Sequence, residues 1–204
     1  MTHQRPLWIA TMALAGSIVL FACGSNPPTP GNSSAPTSPQ PTPTAPSTSA
    51  LPPRPAALHL DEVDPCALLT AAQVNQLGTA TGRSSANDDG PGSRACIWSN
   101  FPKRPDNDWS ANTILEHGAD YYLASTTASE IVQVAGFPAV QTSSDFQDPN
   151  KQCVLLIDVA PGQTLQATYQ NSHGDRPGIS HQVACQQATK AAELMVANLR
   201  NLVH

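Results

Sequence analysis

Five cysteines carry most of the chemistry open to this 204-residue chain. Cys66, Cys96, Cys153 and Cys185 form an even set in the C-terminal part, and Cys23 stands apart from them behind an apolar run. An even set suits disulfides in an oxidising compartment, whereas a zinc site would need paired C-x2-C spacing, and none occurs. The histidines outside the leader are His59, His117, His173, His181 and His204, all in polar or boundary segments where a solvated imidazole is the usual state. His59-x-Asp61-Glu62, His173-x-Asp175 and His181-x3-Cys185 bring possible ligands close in sequence, but none completes a metal set, and Cys185 is better explained as half of a disulfide. Asn87-Asp88-Asp89-Gly90 and Asp106-Asn107-Asp108 offer oxygen ligands without the later glutamate of a calcium loop. There is no G-x-S-x-G nucleophile elbow. We therefore assign no catalytic residue and expect neither a metal nor a cofactor.

Aromatic residues are the remaining candidates, because they often line ligand grooves. Trp98 alternates with Cys96 in a strand-like segment and reads as core, as does Phe137. Trp109 opens a strand after a polar turn and is expected to be partly exposed; with Tyr121 and Tyr122 it makes up the candidate ligand-binding set.

The segment before Cys23 reads as an export signal. Residues 1–22 are MTHQRPLWIATMALAGSIVLFA, a polar start with Arg5 followed by an uncharged apolar run from Leu7 to Ala22. Such a run is a signal-peptide core and is shorter than the roughly 20 apolar residues that span a bilayer. Leu20-Phe21-Ala22-Cys23 resembles the lipobox of bacterial lipoproteins. The Cys23 thiol is the soft nucleophile that a diacylglyceryl donor alkylates, and small Ala22 suits a narrow peptidase pocket. Cys23 is thus expected to become the first residue of the mature chain, carrying two or three acyl chains such as palmitate, where one chain alone anchors only marginally.

Residues 23–57 are expected to be a disordered tether. The stretch holds 11 of the chain's prolines, all between Pro27 and Pro55, and 11 Ser and Thr, with Arg54 as the sole charge. This composition buries too little apolar surface to form a core and favours extended polyproline geometry, so the stretch reaches on the order of 100 Å from the bilayer. Ser and Thr beside Pro also resemble O-glycosylated stalks, with a bare linker as the equal alternative. The whole chain has 10 Lys and Arg against 15 Asp and Glu, a net charge of −5, and its lysines are confined to Lys103, Lys151 and Lys190. No basic stripe exists to bind nucleic acid, so none is expected as a partner.

One folded domain is expected from residue 58 to 204. Asp64 caps and Pro65 starts a first helix whose stripe is Leu68, Leu69, Val74 and Leu77, with Gly78 as the stop. A polar, Gly-rich stretch runs to Ser93. RACIWSN and WSANTILEHG then form a hairpin across the polar PDND turn, and a short segment around Tyr121 and Tyr122 has no clear assignment. EIVQVAGFPAVQT reads as one strand bent at Gly136, and CVLLIDVA and QTLQATYQ make a hairpin about Pro161-Gly162. Ser180 to Leu202 contains neither Gly nor Pro and places Ala184, Ala188, Ala191, Met195, Leu199 and Leu202 on one helical face. The fold class is α+β: an antiparallel sheet of about five strands packed with an N-terminal and a C-terminal helix.

Asp64-Pro65-Cys66 with Leu68-Leu69-Thr70, Cys96-x-Trp98, Gly136-Phe137-Pro138-Ala139, Cys153 before a strand, and Cys185 opening an Ala-rich terminal helix occur together in one order. In this the chain resembles the actinobacterial lipoprotein family called domain of unknown function 3558, over about Val63 to Leu202 and in the lipobox and Pro-rich stalk ahead of it. The resemblance implies an envelope lipoprotein, of mycobacterial or related type, with no established reaction and a sandwich similar to the PsbP-like fold.

The four domain cysteines can pair in three ways. We choose Cys66 with Cys96 and Cys153 with Cys185, because each pair staples a helix near its N-terminal end to a strand. The expected function is a non-enzymatic binding or accessory domain, lipid-anchored on the extracytoplasmic face of the cell membrane, with an envelope protein or small apolar ligand as its partner. The alternative is an envelope enzyme, most plausibly a hydrolase, whose site is assembled only by the fold; clustering of His117, His173 or His181 with carboxylates would favour it. A mainly structural or antigenic surface protein is the third reading.

Overall fold

The computed structural model describes residues 50–86, 90, 92–103, 106–126, 128–143, 151–171 and 179–203. The expected signal, Cys23 and the expected tether up to residue 49 lie outside the described residues, as do His173, Asp175, His204 and Asn87 to Asp89. By its internal contacts the described chain belongs to one unit, Pro46–His204.

The first helical region is two pieces instead of the single helix the sequence predicts. A 3-10 turn, Pro65–Leu68, starts under Asp64, whose side chain accepts from the Cys66 amide, and it ends where Leu69 turns extended. Helix α1, Ala71–Leu77, then begins afresh at Thr70. Thr70 and Gln73 form a reciprocal capping box, which satisfies amides that a continuous helix would have engaged through its own carbonyls. Gly78, at φ 71°, ends α1 in the left-handed region as expected.

Seven antiparallel strands follow, where about five were expected: β1 (Arg83–Ala86), β2 (Arg94–Ser99), β3 (Asn107–Ile114), β4 (Glu130–Val134), β5 (Phe137–Thr142), β6 (Gln152–Ala160) and β7 (Gln163–Asn171). Their order in the sheet is β1-β2-β3-β7-β6-β5-β4. Two differences account for the count. The polar stretch before Ser93 contains β1, which pairs with β2 from Arg83 opposite Ile97 to Ala86 opposite Arg94. EIVQVAGFPAVQT is a hairpin and not one bent strand: Ala135 and Gly136 both have positive φ, 48° and 85°, and turn β4 back onto β5 with Val134 opposite Phe137. Positive φ at both central residues is the geometry whose twist matches a tight hairpin. The short segment at Tyr121 is helix α2, Ala119–Ser125.

Strand alternation divides the sheet into two faces. On one, Trp98, Trp109, Ala111, Phe137, Leu155, Ile157, Leu165 and Tyr169 are buried in the main core, covered by helix α3, His181–Leu202, which packs on β6 and β7, and by the 3-10 turn, which packs on β2 and β3. Ala184, Ala188, Ala191, Met195 and Leu199 are the helix's buried residues, as its spacing predicts, while Leu202 at the end of the stripe is 48 % exposed. The structure contains both expected disulfides. Cys66–Cys96 joins the 3-10 turn to β2, and Cys153–Cys185 joins β6 to α3.

A smaller cluster lies on the opposite face, where Leu51 packs with Ile114, Ala119, Val140, Val154 and Leu156, flanked by Tyr122 and Leu123 of α2. Residues 50–57 were assigned to the tether from composition, yet Leu51 is buried and Arg54 forms an ion pair with Asp158 at 2.8 Å. Behind them the Leu58 amide donates to the Val159 carbonyl and the Leu60 amide to Gln163 Oε1. The packed chain therefore starts ahead of Leu58. Among the described residues no helix is long and apolar enough to cross a membrane.

Candidate functional site

A groove of about 850 Å³ lies between the first half of α3 and the β4–β5 edge. It exists because α3 centres its apolar stripe on β6 and β7, leaving its outer flank facing the sheet margin without covering it. Gln182, Gln186, Thr189 and Lys190 come from the helix; Glu130 and Gln141, directly opposite one another in the β4–β5 ladder, come from the sheet. Residues paired in this way project to the same face. The lining is thus rich in amides and hydroxyls, with Lys190 set against Glu130 and Glu193. Amides can donate and accept at once, which suits ligands bearing hydroxyl or peptide groups.

His181 and Cys185 close one end of the groove. Ser180 caps α3 by accepting from the Val183 amide, so His181 is the first helical residue and Cys185 lies one turn on, on the same side. His181 Nδ1 is 3.1 Å from the Gln152 carbonyl oxygen, and Nε2 is 3.4 Å from Cys185 Sγ. The carbonyl can only accept, so the Nδ1 contact places the proton there; Cys185 Sγ, 3.4 Å from Nε2 and 4.0 Å from Nδ1, lies beside the ring and well off the line of the Nε2 lone pair. Cys153, His181 and Cys185 have one ligand-type atom each within 4.8 Å of the others. The disulfide between the two sulfurs uses their ligand capacity.

A second, smaller pocket of about 440 Å³ adjoins the other disulfide, between Cys66, Val74 and Trp98. Gly82 forms part of its wall, and a Cβ there would stand 2.5 Å from Trp98 Nε1 and 2.6 Å from Cys96 Sγ. Thr79 Oγ1 faces the protein interior without a hydrogen-bond partner.

The aromatic ligand set separates into a buried member and an exposed pair. Trp109, expected near the surface, is 3 % exposed and meets the Tyr169 ring edge-on at 5.2 Å. It shares the α3-facing side of β3 with Ala111, so the strand buries it despite the polar turn just before it. Tyr121 is 52 % exposed and stacks on His117 at 4.2 Å, and Tyr122 stands edge-on to Tyr121 at 5.2 Å. That pair lies on α2, away from the groove.

The structure does not bring His117 and His181 together. Thr164 Oγ1 donates to the His117 carbonyl at one end of the β6–β7 hairpin, and His181 meets Gln152 at the other. Thr164 pairs with Asp158, so the two ends are about 20 Å apart at the usual rise per strand residue. Asp61, beside His59, accepts from Gln163 Nε2 at 3.0 Å, a hydrogen bond that lowers its carboxyl below the ordinary range. Asn107, in the proposed oxygen loop, accepts from Tyr169 Oη at 2.8 Å and Asn171 Nδ2 at 3.3 Å, and so serves the core. The groove has no signature in the sequence, because its residues are spread from 128 to 193 and no local motif marks them.

Comparison with curated proteins and with solved structures returned no match. A family profile described as "Protein of unknown function (DUF3558)" matches residues 18–198, nearly the whole chain. The chain is therefore a member of that family of proteins of unknown function.

Proposed function

We propose that this chain is an exported, actinobacterial-type envelope lipoprotein whose folded domain is a non-enzymatic binding module, held by acylated Cys23 on the outer face of the cell membrane. The observation that carries the binding role is the polar groove between α3 and the β4–β5 edge. Its amide- and hydroxyl-rich lining directs the choice of ligand toward glycans or peptides of the envelope in preference to a small apolar molecule. The anchoring role rests on the lipobox-like Leu20-Phe21-Ala22-Cys23, and the family match, which begins at residue 18, includes that segment. An antiparallel sheet with its long terminal helix on one face is compatible with the PsbP-like sandwich implied by the resemblance.

Thermal-shift screening of the full chain against envelope glycan fragments and short peptides tests the reading. A ligand that raises the melting temperature of the wild type and fails to do so with the Gln141→Ala/Gln186→Ala variant supports it. A panel without effect, or a shift that survives in that variant, refutes groove binding. Separately, the wild type should partition into detergent and the Cys23→Ala protein should not once N-terminal sequencing confirms removal of the signal.

A further inference from the structure

The end of the groove holds two sulfurs and an imidazole nitrogen that are brought together by three separate features of the fold. Cys153 opens β6, Cys185 lies in the second turn of α3, and His181 is oriented by the Gln152 carbonyl next to Cys153. A histidine that gives its Nδ1–H to a backbone carbonyl keeps Nε2 for a metal, as metal-ligating histidines usually do, and here Nε2 stands 3.4 Å from Cys185 Sγ. The other disulfide supplies a contrast within the same molecule. Cys66–Cys96 has a serine hydroxyl at 3.8 Å, Ser84 Oγ, and no histidine contact among the described residues.

We propose that reduction of Cys153–Cys185 opens a metal site in which the two cysteine thiolates and His181 Nε2 bind a thiophilic divalent ion of the zinc class. The reducing step takes two electrons from an external dithiol, which becomes a disulfide as Cys153 and Cys185 become thiols. The ion then displaces one proton from each thiol, so two protons are released per metal bound. Two thiolates and one imidazole make a three-ligand set of the kind that leaves a fourth position open. That position faces the groove, because His181 and Cys185 both line it.

The three ligand groups start close together. The Cα atoms of Cys153 and Cys185 are 4.9 Å apart, and the three ligand atoms already fall within 4.8 Å of each other. Tetrahedral zinc with bonds of about 2.3 Å to sulfur sets two thiolates about 3.8 Å apart, so binding requires the freed cysteine side chains to part and the His181 ring to turn its Nε2 lone pair onto the ion. Cys153 is fully buried and Cys185 nearly so, leaving the groove end as the entry route. Glu130 and Glu193 in the same groove make the approach favourable for a cation, with Lys190 as the opposing charge. The site depends on no assumption about which glycan or peptide the groove binds.

Cobalt titration of the full-length chain carrying Cys23→Ala tests the proposal. The protein is reduced with a phosphine and kept free of oxygen, with far-UV circular dichroism recorded throughout. The expected result is one equivalent of Co²⁺ bound with thiolate charge-transfer absorption, displaced by Zn²⁺ and absent before reduction. The spectrum should persist when Cys66→Ser/Cys96→Ser is added, and disappear with Cys153→Ser/Cys185→Ser. His181→Gln should weaken binding at least tenfold, a readout that a purely structural disulfide would not move. A reduced protein that keeps its fold and takes up no cobalt overturns the proposal. So does loss of the fold on reduction, or cobalt affinity unchanged by His181→Gln.

Discussion

Arg54 grips Asp158 with two hydrogen bonds, Nε to Oδ2 at 3.0 Å and Nη2 to Oδ1 at 2.8 Å, and so fixes the end of the Pro-rich stretch to β6 near its C-terminal end. Asp158 is buried, and desolvation raises its carboxyl above the ordinary 3.8 even though the Arg54 guanidinium pulls the other way and Asp120 adds to the rise. A carboxyl raised by folding contributes stability below its unfolded pKa, and that contribution is lost as the pH climbs through the folded value. Removing the guanidinium leaves burial unopposed. Arg54→Ala should therefore cost about 2 kcal/mol at pH 7, less than a fully buried pair because Arg54 is itself about a quarter exposed. The cost should shrink toward zero as the pH falls below about 4, where Asp158 is protonated in folded and unfolded chains alike. Denaturant melts of both proteins across that range check the sign; a pH-independent difference would reject the mechanism.

Because Leu51 is buried and Arg54 is paired, proteolytic trimming from the N-terminal side should stop ahead of Leu51 and not at Leu58. Cleavage needs a locally opened backbone, and an anchored apolar side chain suppresses opening. Mass spectrometry of the resistant core gives its first residue directly. Leu51→Ser/Arg54→Ala should move that boundary to the neighbourhood of Leu58.

Each disulfide closes a loop of some 30 residues, with sequence separations of 30 and 32. Loop-closure entropy predicts about 3–4 kcal/mol lost on replacing either pair by alanines. Gly82 should also resist substitution, for a different reason, since its Cβ would meet the Trp98 ring and Cys96 Sγ. Both are buried and cannot swing aside, so Gly82→Ala should destabilise by about 1–3 kcal/mol, whereas Gly→Ala in an open strand is neutral or better. Chemical denaturation under non-reducing conditions measures all three variants. Peptide mapping under the same conditions should recover Cys66 linked to Cys96 and Cys153 linked to Cys185.

The parts of the fold legible in the sequence were those with a local periodic cause. The Ala-Met-Leu spacing of α3 and the Pro161-Gly162 turn between β6 and β7 are of that kind. The β4–β5 turn was hidden because Ala135 adopts positive φ, a conformation that alanine seldom signals and that the adjoining strands impose here. Trp109 was misplaced because its sequence neighbours, Asp106 to Asp108, are polar, while its burial is decided across the sheet by Tyr169 opposite it. His181 and Cys185 are legible as a pair four residues apart, but the Gln152 carbonyl that orients His181 comes from the start of another element. Long-range apposition of this kind also makes the groove, which is why its lining carried no signal.

The end of α3 offers a sharp test of which side of the helix supports the sheet. Leu199 and Leu202 are three residues apart and read equally well as members of one stripe, yet the first is fully buried and the second is 48 % exposed. The helix ends at Leu202, with the Val203 amide bonding back to the Leu199 carbonyl, so the last turn runs past the sheet it covers. Leu199→Ala removes a side chain enclosed by the main core and should cost about 2–5 kcal/mol, the loss of transfer energy being compounded by the void left behind. Leu202→Ala removes a half-solvated side chain and gains helix propensity, so its net effect should stay within about 0.5 kcal/mol. Equal losses for the two variants would mean that Leu202 is covered in solution, and would contradict the packing of the last turn described here.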